Sequence, residues 1–261
     1  MQKMQKSVQI TLIIVVGVLI LAGIAAGLIM AIFSKLKAES EVNTISAEGR
    51  ATIKVSPDLV TVYFRAETNG SSAKEAKDKN AEIVNKAIEA LKKISIPEEK
   101  IQTQDYSIYP EYEWNYETNE RKLIGYKAIH SFKVELQTAQ IDKVGSVIDA
   151  GVDAGAMIEY INFELSTEKQ NYYKAIALRQ ASEDAKRKVE AIASGLGKSL
   201  GKLVSVSEIS FDYYPWPIYR AMAQDQEQQV AREKAKEAIT NIRPSEQEVS
   251  ARVGVVYEII D

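Results

Sequence analysis

Between Val8 and Phe33 the chain reads VQITLIIVVGVLILAGIAAGLIMAIF, without a charged residue. About 20 mostly apolar residues suffice to cross the hydrocarbon core of a bilayer as a helix, and a longer stretch crosses with tilt. In lipid a single segment satisfies its own backbone hydrogen bonds only as a helix. The run is therefore expected to be one transmembrane helix, with everything C-terminal to it on one side of a membrane. A cleaved signal peptide fits less well, because its apolar region is about 7–15 residues and ends in small side chains. Here the run leaves through Met30, Ile32 and Phe33 into SKLKAES. Lys3 and Lys6 on one flank are nearly balanced by Lys35 and Lys37 on the other, so flanking charge does not orient the span. Gly23, Gly27 and Ala31 recur every four residues, a spacing that lets transmembrane helices pack closely. General glycine richness of such helices accounts for the same residues equally well.

This divides the 261 residues into a tail and anchor (1–33), a polar linker (34–44) and a remainder (45–261) long enough to bury a good-sized core. A net charge of −3 gives no basic footprint, so nucleic acid is not an expected partner. Cysteine is absent and His130 is the one histidine. Disulfides, thiolate nucleophiles, cysteine or His-rich metal sites and multi-histidine mechanisms are thereby excluded.

Ile45 to Val55 alternates apolar and polar residues, as a half-buried strand does. Ser56-Pro57-Asp58 is read as a turn, and Val60, Val62, Phe64 and Ala66 as the inward face of a second strand that completes a hairpin with the first. Ser72 and Glu75 form a capping-box pattern ahead of a helix whose apolar positions are Ala76, Ile83, Ala87, Ile88 and Leu91. The lysines and glutamates between them are a solvated face. A second hairpin is expected from Ile101–Trp114 and Lys122–Thr138. A short helix over Gln140–Gly151 and a strand over Ile158–Ser166 follow. A long helix over Glu168–Leu196 has a stripe of Ala175, Leu178, Ala185, Val189 and Ile192, and strands at Lys202–Asp212 and Glu248–Ile260 end the chain. The fold class is α+β: a largely antiparallel sheet of about seven strands with about three helices packed on it, preceded by the transmembrane helix. A long insertion, 211–245, separates the last two strands.

The stretches ISAEGRATIKVSPDLVTVYFRAET, IQTQDYSIYPEYEW, LIGYKAIHSFKVEL and DAGAMIEYINFEL occur in this order. With Gly49, Pro57-Asp58, Thr103, Tyr106, Pro110, Gly125-Tyr126, Gly155-Ala156 and the closing EVSARVGVVYEI, the sequence from Ile45 onward resembles the SIMPL-domain family of periplasmic immunogenic or outer-membrane proteins. The resemblance implies an extracytoplasmic, envelope-associated domain with a tendency to form large ring-like oligomers and an association with oxidative or envelope stress. It carries over no catalytic residues. The anchor in place of a cleavable signal and the 211–245 segment depart from the family pattern.

Other motifs have plain structural readings. Gly195-Leu196-Gly197-Lys198-Ser199 looks like the end of a phosphate loop, but the first glycine of that pattern is replaced by Ile192. A helix precedes it and a strand follows, the reverse of what a phosphate loop needs. The glycines are helix terminators. His130 sits among inward-facing strand residues with no nucleophile and orienting partner beside it, so a hydrogen-bonded core or interface histidine is expected. Glu111 and Glu113 are too ordinary a pair to signify glycoside chemistry. Asn69-Gly70-Ser71 is an N-glycosylation pattern, but the plainer reading is a turn sequence.

The expected function is a membrane-anchored extracytoplasmic domain acting as a non-enzymatic oligomerising or binding scaffold, located in the cell membrane with a single-pass anchor. No cofactor or metal is expected. The alternatives are a ring-forming pore or chamber component and an enzyme whose polar residues converge only in three dimensions. Tyr213, Tyr214, Trp216 and Tyr219, set around Pro215 and Pro217, are too aromatic for a disordered segment. They are expected to form a contact, first with a neighbouring protomer and after that with a lipid headgroup layer or a separate partner; the competing reading folds them over the domain's own core.

Overall fold

Phe64, Phe132 and Phe163 are the largest fully buried side chains, and they lie on three adjacent strands. The structure, a computed structural model, describes residues 23–25, 27–30, 43–116, 119–222, 228–241 and 244–261. In chain order the elements are β1 (Thr44–Val55), β2 (Leu59–Gly70), α1 (Ala73–Lys93), β3 (Ile101–Asn115), β4 (Glu120–Gln137), α2 (Val144–Asp153), β5 (Met157–Glu164), α3 (Thr167–Gly195), β6 (Ser199–Tyr213), β7 (Trp216–Arg220), α4 (Gln228–Asn241) and β8 (Gln247–Ile260). Short 3₁₀ turns at Glu98–Lys100 and Thr138–Lys143 precede β3 and α2.

The strands form a three-stranded sheet in the order β1-β8-β6 and a five-stranded sheet in the order β3-β4-β2-β5-β7. The five-stranded sheet is antiparallel at every pairing. The chain divides into two compact units, one of residues 1–49, 183–207 and 254–261, the other of residues 50–182 and 208–253. The α+β class agrees with the sequence reading. Among the described residues there are two sheets rather than one, and an eighth strand and a fourth helix lie inside the expected 211–245 insertion. Pro217 falls within β7. A proline inside an apolar run argues against a central strand, but β7 is an edge strand, where the missing N–H costs nothing.

Most of the expected transmembrane run lies outside the described residues. Its described parts, 23–25 and 27–30, are helical and exposed, and Ala31 is not among them. No described helix is long and apolar enough to cross a membrane.

The expected hairpin of the first two strands does not form. β1 pairs in the three-stranded sheet, while β2 lies between β4 and β5. Asp58 provides the reason. Its backbone N–H donates to the Glu164 carbonyl at 3.1 Å, and its own carbonyl accepts from the Thr138 N–H at 2.9 Å. Its carboxylate accepts from the Ser166 N–H and hydroxyl, both at 2.8 Å. These bonds seat the start of β2 against the ends of β4 and β5, and Pro57 has no N–H with which to continue a ladder from β1.

Above the five-stranded sheet, Val60, Val62, Phe64 and Ala66 of β2 are fully buried, as their alternation predicts. Phe64 stacks on Phe132 with centroids 5.3 Å apart. α1 presents Ala76, Val84, Ala87 and Leu91 to this layer, and α2 presents Val144, Val147, Ile148 and Gly151. The Ser72 cap forms, with the Glu75 N–H donating to its Oγ at 3.2 Å. The Glu75 carboxylate accepts from the Ser71 N–H at 2.8 Å, which ties the residue before the cap to the first turn. In α3 the buried positions are Ala177, Ala181, Ala185, Val189 and Ala193, so the expected stripe is shifted. Ala175 and Ile192 are exposed, because the buried line runs through small side chains that a size-weighted reading passes over.

α1, α2 and α3 end in the same way. The N–H of Ile96, Ala156 and Lys198 bonds back to the carbonyl of Leu91, Gly151 and Ala193, respectively. This six-to-one closure needs a left-handed residue just before it. Gly155 and Gly197 supply φ of 103° and 68°, and Ser95 supplies 62° without being glycine. Gly197 is thus the helix terminator expected from sequence.

The opposite face of the five-stranded sheet is polar. The Glu164 carboxylate accepts from the Thr61 hydroxyl at 3.1 Å, the Tyr63 hydroxyl at 2.9 Å and the Asn162 amide at 3.0 Å. Tyr63 stacks on Tyr160 with centroids 4.1 Å apart. Burial and then the Glu164 charge push the Tyr63 phenol upward, so it stays a neutral donor.

The packing of α2 on β2 is tested by two substitutions. A Cβ on Gly151 would lie 2.3 Å from the Phe64 ring, whereas one on Gly145 of the same helix meets nothing within 4 Å. Gly151→Ala is expected to destabilise by about 1–3 kcal/mol through overpacking. Gly145→Ala is expected to be neutral or stabilising by up to about 1 kcal/mol from helix propensity. Equal denaturant midpoints for the two variants would contradict this packing.

Candidate interaction site

Three of the four aromatic residues singled out in 211–245 pack within their own domain. The Tyr213 hydroxyl accepts from the Leu165 N–H at 2.6 Å, and burial pushes its phenol up to about 12. Trp216 lies against Phe163, centroids 5.8 Å apart. Tyr219 is 8% exposed and belongs to the main core. Tyr214 alone faces solvent, at 77% exposure. Within the protomer, β7 turns Trp216 and Tyr219 inward, while Tyr214, which precedes it, faces solvent. Gly23 and Gly27 are helical, with open space around them.

Exposed apolar side chains concentrate instead on two edge strands. β3 borders the five-stranded sheet, and Tyr106, Tyr109, Tyr112 and Trp114 on it are all exposed. The pairing of β2 with β4 stops at Gly70 opposite Tyr126, while β3 and β4 continue to Asn115 opposite Glu120. The end of the hairpin is thus a two-stranded ribbon. A bulge on β4 separates the pairs Glu111–Gly125 and Tyr112–Leu123. Beyond it, Tyr112, Trp114, Leu123 and Arg121 share one face, with the Arg121 guanidinium 4.0 Å from the Tyr112 ring centroid. Glu113 and Lys122 are paired on the other face.

β6 borders the three-stranded sheet. Leu203, Val204, Val206 and Ile209 on it are exposed, Val206 at 59%. A long exposed edge with apolar side chains is a ready template for another strand. The sequence hinted at this in the run Leu203-Val204, which breaks the alternation of a strand with one buried face. Which strands are edges is a matter of topology and could not be read.

His130 is hydrogen-bonded through Nε2 to the Thr103 hydroxyl at 2.8 Å. Its ring meets Tyr106 and Phe132 edge-on, with centroids 5.3 and 6.2 Å away. Among the described residues no carboxylate orients its other nitrogen and no group of three or more metal-ligating side chains converges. The arrangement is that of a satisfied, half-buried histidine beside a sheet edge.

The profile of the SIMPL family, described as proteins of unknown function (DUF541), matches residues 45–257. The chain belongs to the SIMPL family. It is 28% identical over 179 residues to the uncharacterized protein YggE of Edwardsiella ictaluri, covering 69% of this chain and 73% of that one. Its identity to the YggE protein of Escherichia coli K12 is 28% over 181 residues, or 69% and 72% of the two chains. To the 26 kDa periplasmic immunogenic protein of Brucella melitensis it is 26% identical over 222 residues, covering 82% and 84%. None of these SIMPL relatives carries an enzymatic name.

His130 gives a pH test of this SIMPL domain. Burial holds the imidazole below its ordinary value of 6.5, against the opposing charge of Asp105. The folded state then binds fewer protons than the unfolded state as pH falls through that value, so stability is lost on acidification. Denaturation midpoints measured from about pH 7.5 to 5.5, above the carboxylate range, are expected to fall. In His130→Gln they should fall less, since no other histidine exists. Parallel profiles would show that His130 does not titrate with folding.

Proposed function

We propose that this SIMPL domain is a membrane-anchored, extracytoplasmic, non-enzymatic scaffold that oligomerises through the edges of its sheets. The observation that carries the reading is the pair of exposed apolar edge strands, β3 and β6. Adding a strand to an open edge satisfies a row of backbone groups and covers the side chains beside them. The two edges differ in character: β3 offers Tyr and Trp, β6 offers Leu, Val and Ile. A contact between unlike edges is heterologous, and such contacts close into rings when the rotation per subunit permits. This supports the ring-like assembly, and the chamber alternative, that the family resemblance implies. The uncharged run Val8–Phe33 supports the anchor. The periplasmic name of the Brucella relative supports the extracytoplasmic side, as does the envelope-stress association of the resemblance. Confinement to one membrane plane raises the effective concentration of the edges.

Light scattering on two variants tests the assembly. Tyr112→Ser/Trp114→Ser blunts β3, and Val204→Lys/Val206→Lys blunts β6. Each variant alone is expected to be monomeric, and an equimolar mixture is expected to form dimers, because each retains the edge the other lacks. Wild-type mass above a dimer completes the pattern. A β3 variant that still self-associates through β6 would mean like-to-like contact and no ring.

Topology is tested separately. The chain has no cysteine, so Lys77→Cys on the solvated face of α1 is a unique label site. It is expected to react with a membrane-impermeant maleimide on intact cells. Labelling only after lysis would place the domain in the cytoplasm.

A further inference from the structure

We infer that the cleft on the polar face of the five-stranded sheet, formed by β2, β5 and β7, binds a small monoanionic carboxylate carried on a planar apolar body. The cleft measures about 480 Å³ and is lined by Arg65, Met157, Glu159, Tyr160, Arg220 and Ala221, among others. Binding sites for small molecules typically span about 300–1,000 Å³.

The register of the sheet brings these side chains together. Tyr160 on β5 is directly opposite Arg220 on β7, and Arg65 on β2 is opposite Met157 on β5. The next pair, Ile161 and Tyr219, is buried in the core, so Tyr160 and Arg220 face outward. Arg65 is held by an ion pair with Glu159, which fixes both side chains. Among the described residues no carboxylate is within ion-pair distance of Arg220, which is exposed. The charges of the cleft are then Arg65, Arg220 and Glu159, a net of +1, which suits a monoanion. A phosphate dianion would have to approach the Glu159 carboxylate without a second free cation to offset it.

Two hydroxyls on this face behave differently. The Tyr63 hydroxyl is committed to Glu164 at 2.9 Å. The Tyr160 hydroxyl has no hydrogen-bond partner among the described residues, while its ring is fixed by stacking on Tyr63 at 4.1 Å. A pre-positioned phenol donor thus stands across from a planar guanidinium, the group best shaped to take a carboxylate through two parallel bonds. The Tyr160 ring, the partly exposed Met157 and Ala221 offer the ligand's body an apolar seat. None of these residues lies on β3 or β6, so the site is independent of the edges assigned to assembly.

Calorimetric titration of the purified full chain with benzoate at low ionic strength tests the assignment. Saturable binding is expected, with Kd on the order of 0.1–1 mM for so small a ligand in an open cleft. Arg220→Gln, at an exposed position, is expected to weaken it at least about tenfold, the loss of a charge-assisted pair. Tyr160→Phe is expected to weaken it about threefold or more through the lost hydroxyl while keeping the stacked ring. An unchanged thermal melt for Arg220→Gln confines its effect to the cleft. Three outcomes overturn the proposal: no saturation by benzoate, benzyl alcohol binding as well as benzoate, or Arg220→Gln binding like wild type. Inorganic phosphate binding more tightly than benzoate overturns it too, since the cleft would then select charge rather than a monocarboxylate with an apolar body.

Discussion

Every polar atom of Asp58 is hydrogen-bonded at the point where the chain enters β2. Its N–H, its carbonyl and both carboxylate oxygens are bonded to residues 138, 164 and 166. A strand buried on both faces, as Leu59-Val60-Thr61-Val62 is, has no solvent-facing side to fix its register. A rigid end fixes it instead. From there the ladder sets every other placement in the five-stranded sheet: Phe64 beside Phe132, Tyr63 beside Tyr160, and Thr61 within reach of Glu164. Asp58 also accepts from the first turn of α3 through Ser166, so one carboxylate ties the sheet to the start of the long helix.

Two faces of one sheet follow from this. The face under α1 and α2 is filled by Val, Ile and Phe, and it admits the α2 backbone so closely that only glycine fits at position 151. The other face replaces packing with a network of short polar contacts around Glu164 and with the ion pairs Lys133–Glu135 and Lys127–Glu67. Such half-buried pairs lose part of their hydration, and their mutual attraction offsets that loss only when geometry is good. They keep the face ordered without covering it, which is what leaves a cleft with a defined lining.

The edges are the complement of that interior order. Closing a sheet into a barrel would remove them, but here β3, β7, β1 and β6 all end a sheet. Natural proteins usually blunt such edges with charge, proline or bulges. β7 is short and carries Pro217, and β3 has Pro110 and two register shifts. β6 has no proline and carries apolar side chains toward solvent. An edge left open in this way keeps a row of backbone donors and acceptors available for another strand.

Local chemistry determined the elements. Alternation located β1 and the inner face of β2, the Ser72 cap started α1, and Gly197 ended α3, because each depends on neighbours within a few residues. The same local reading missed the left-handed turn at Ser95, whose side chain does not announce it. It also did not anticipate the short strand β7, which contains Pro217. Tertiary structure decided what sequence spacing does not encode. β1 joined β8 rather than β2, Trp216 and Tyr219 turned inward, and Tyr160, Arg65 and Arg220 met on one face although they are far apart in the chain. The physical reason is that strand pairing is a long-range choice. Many registers satisfy the same alternation, and the one adopted is the one that also seats Asp58, buries three phenylalanines together and gives the Thr61 and Tyr63 hydroxyls a shared acceptor in Glu164.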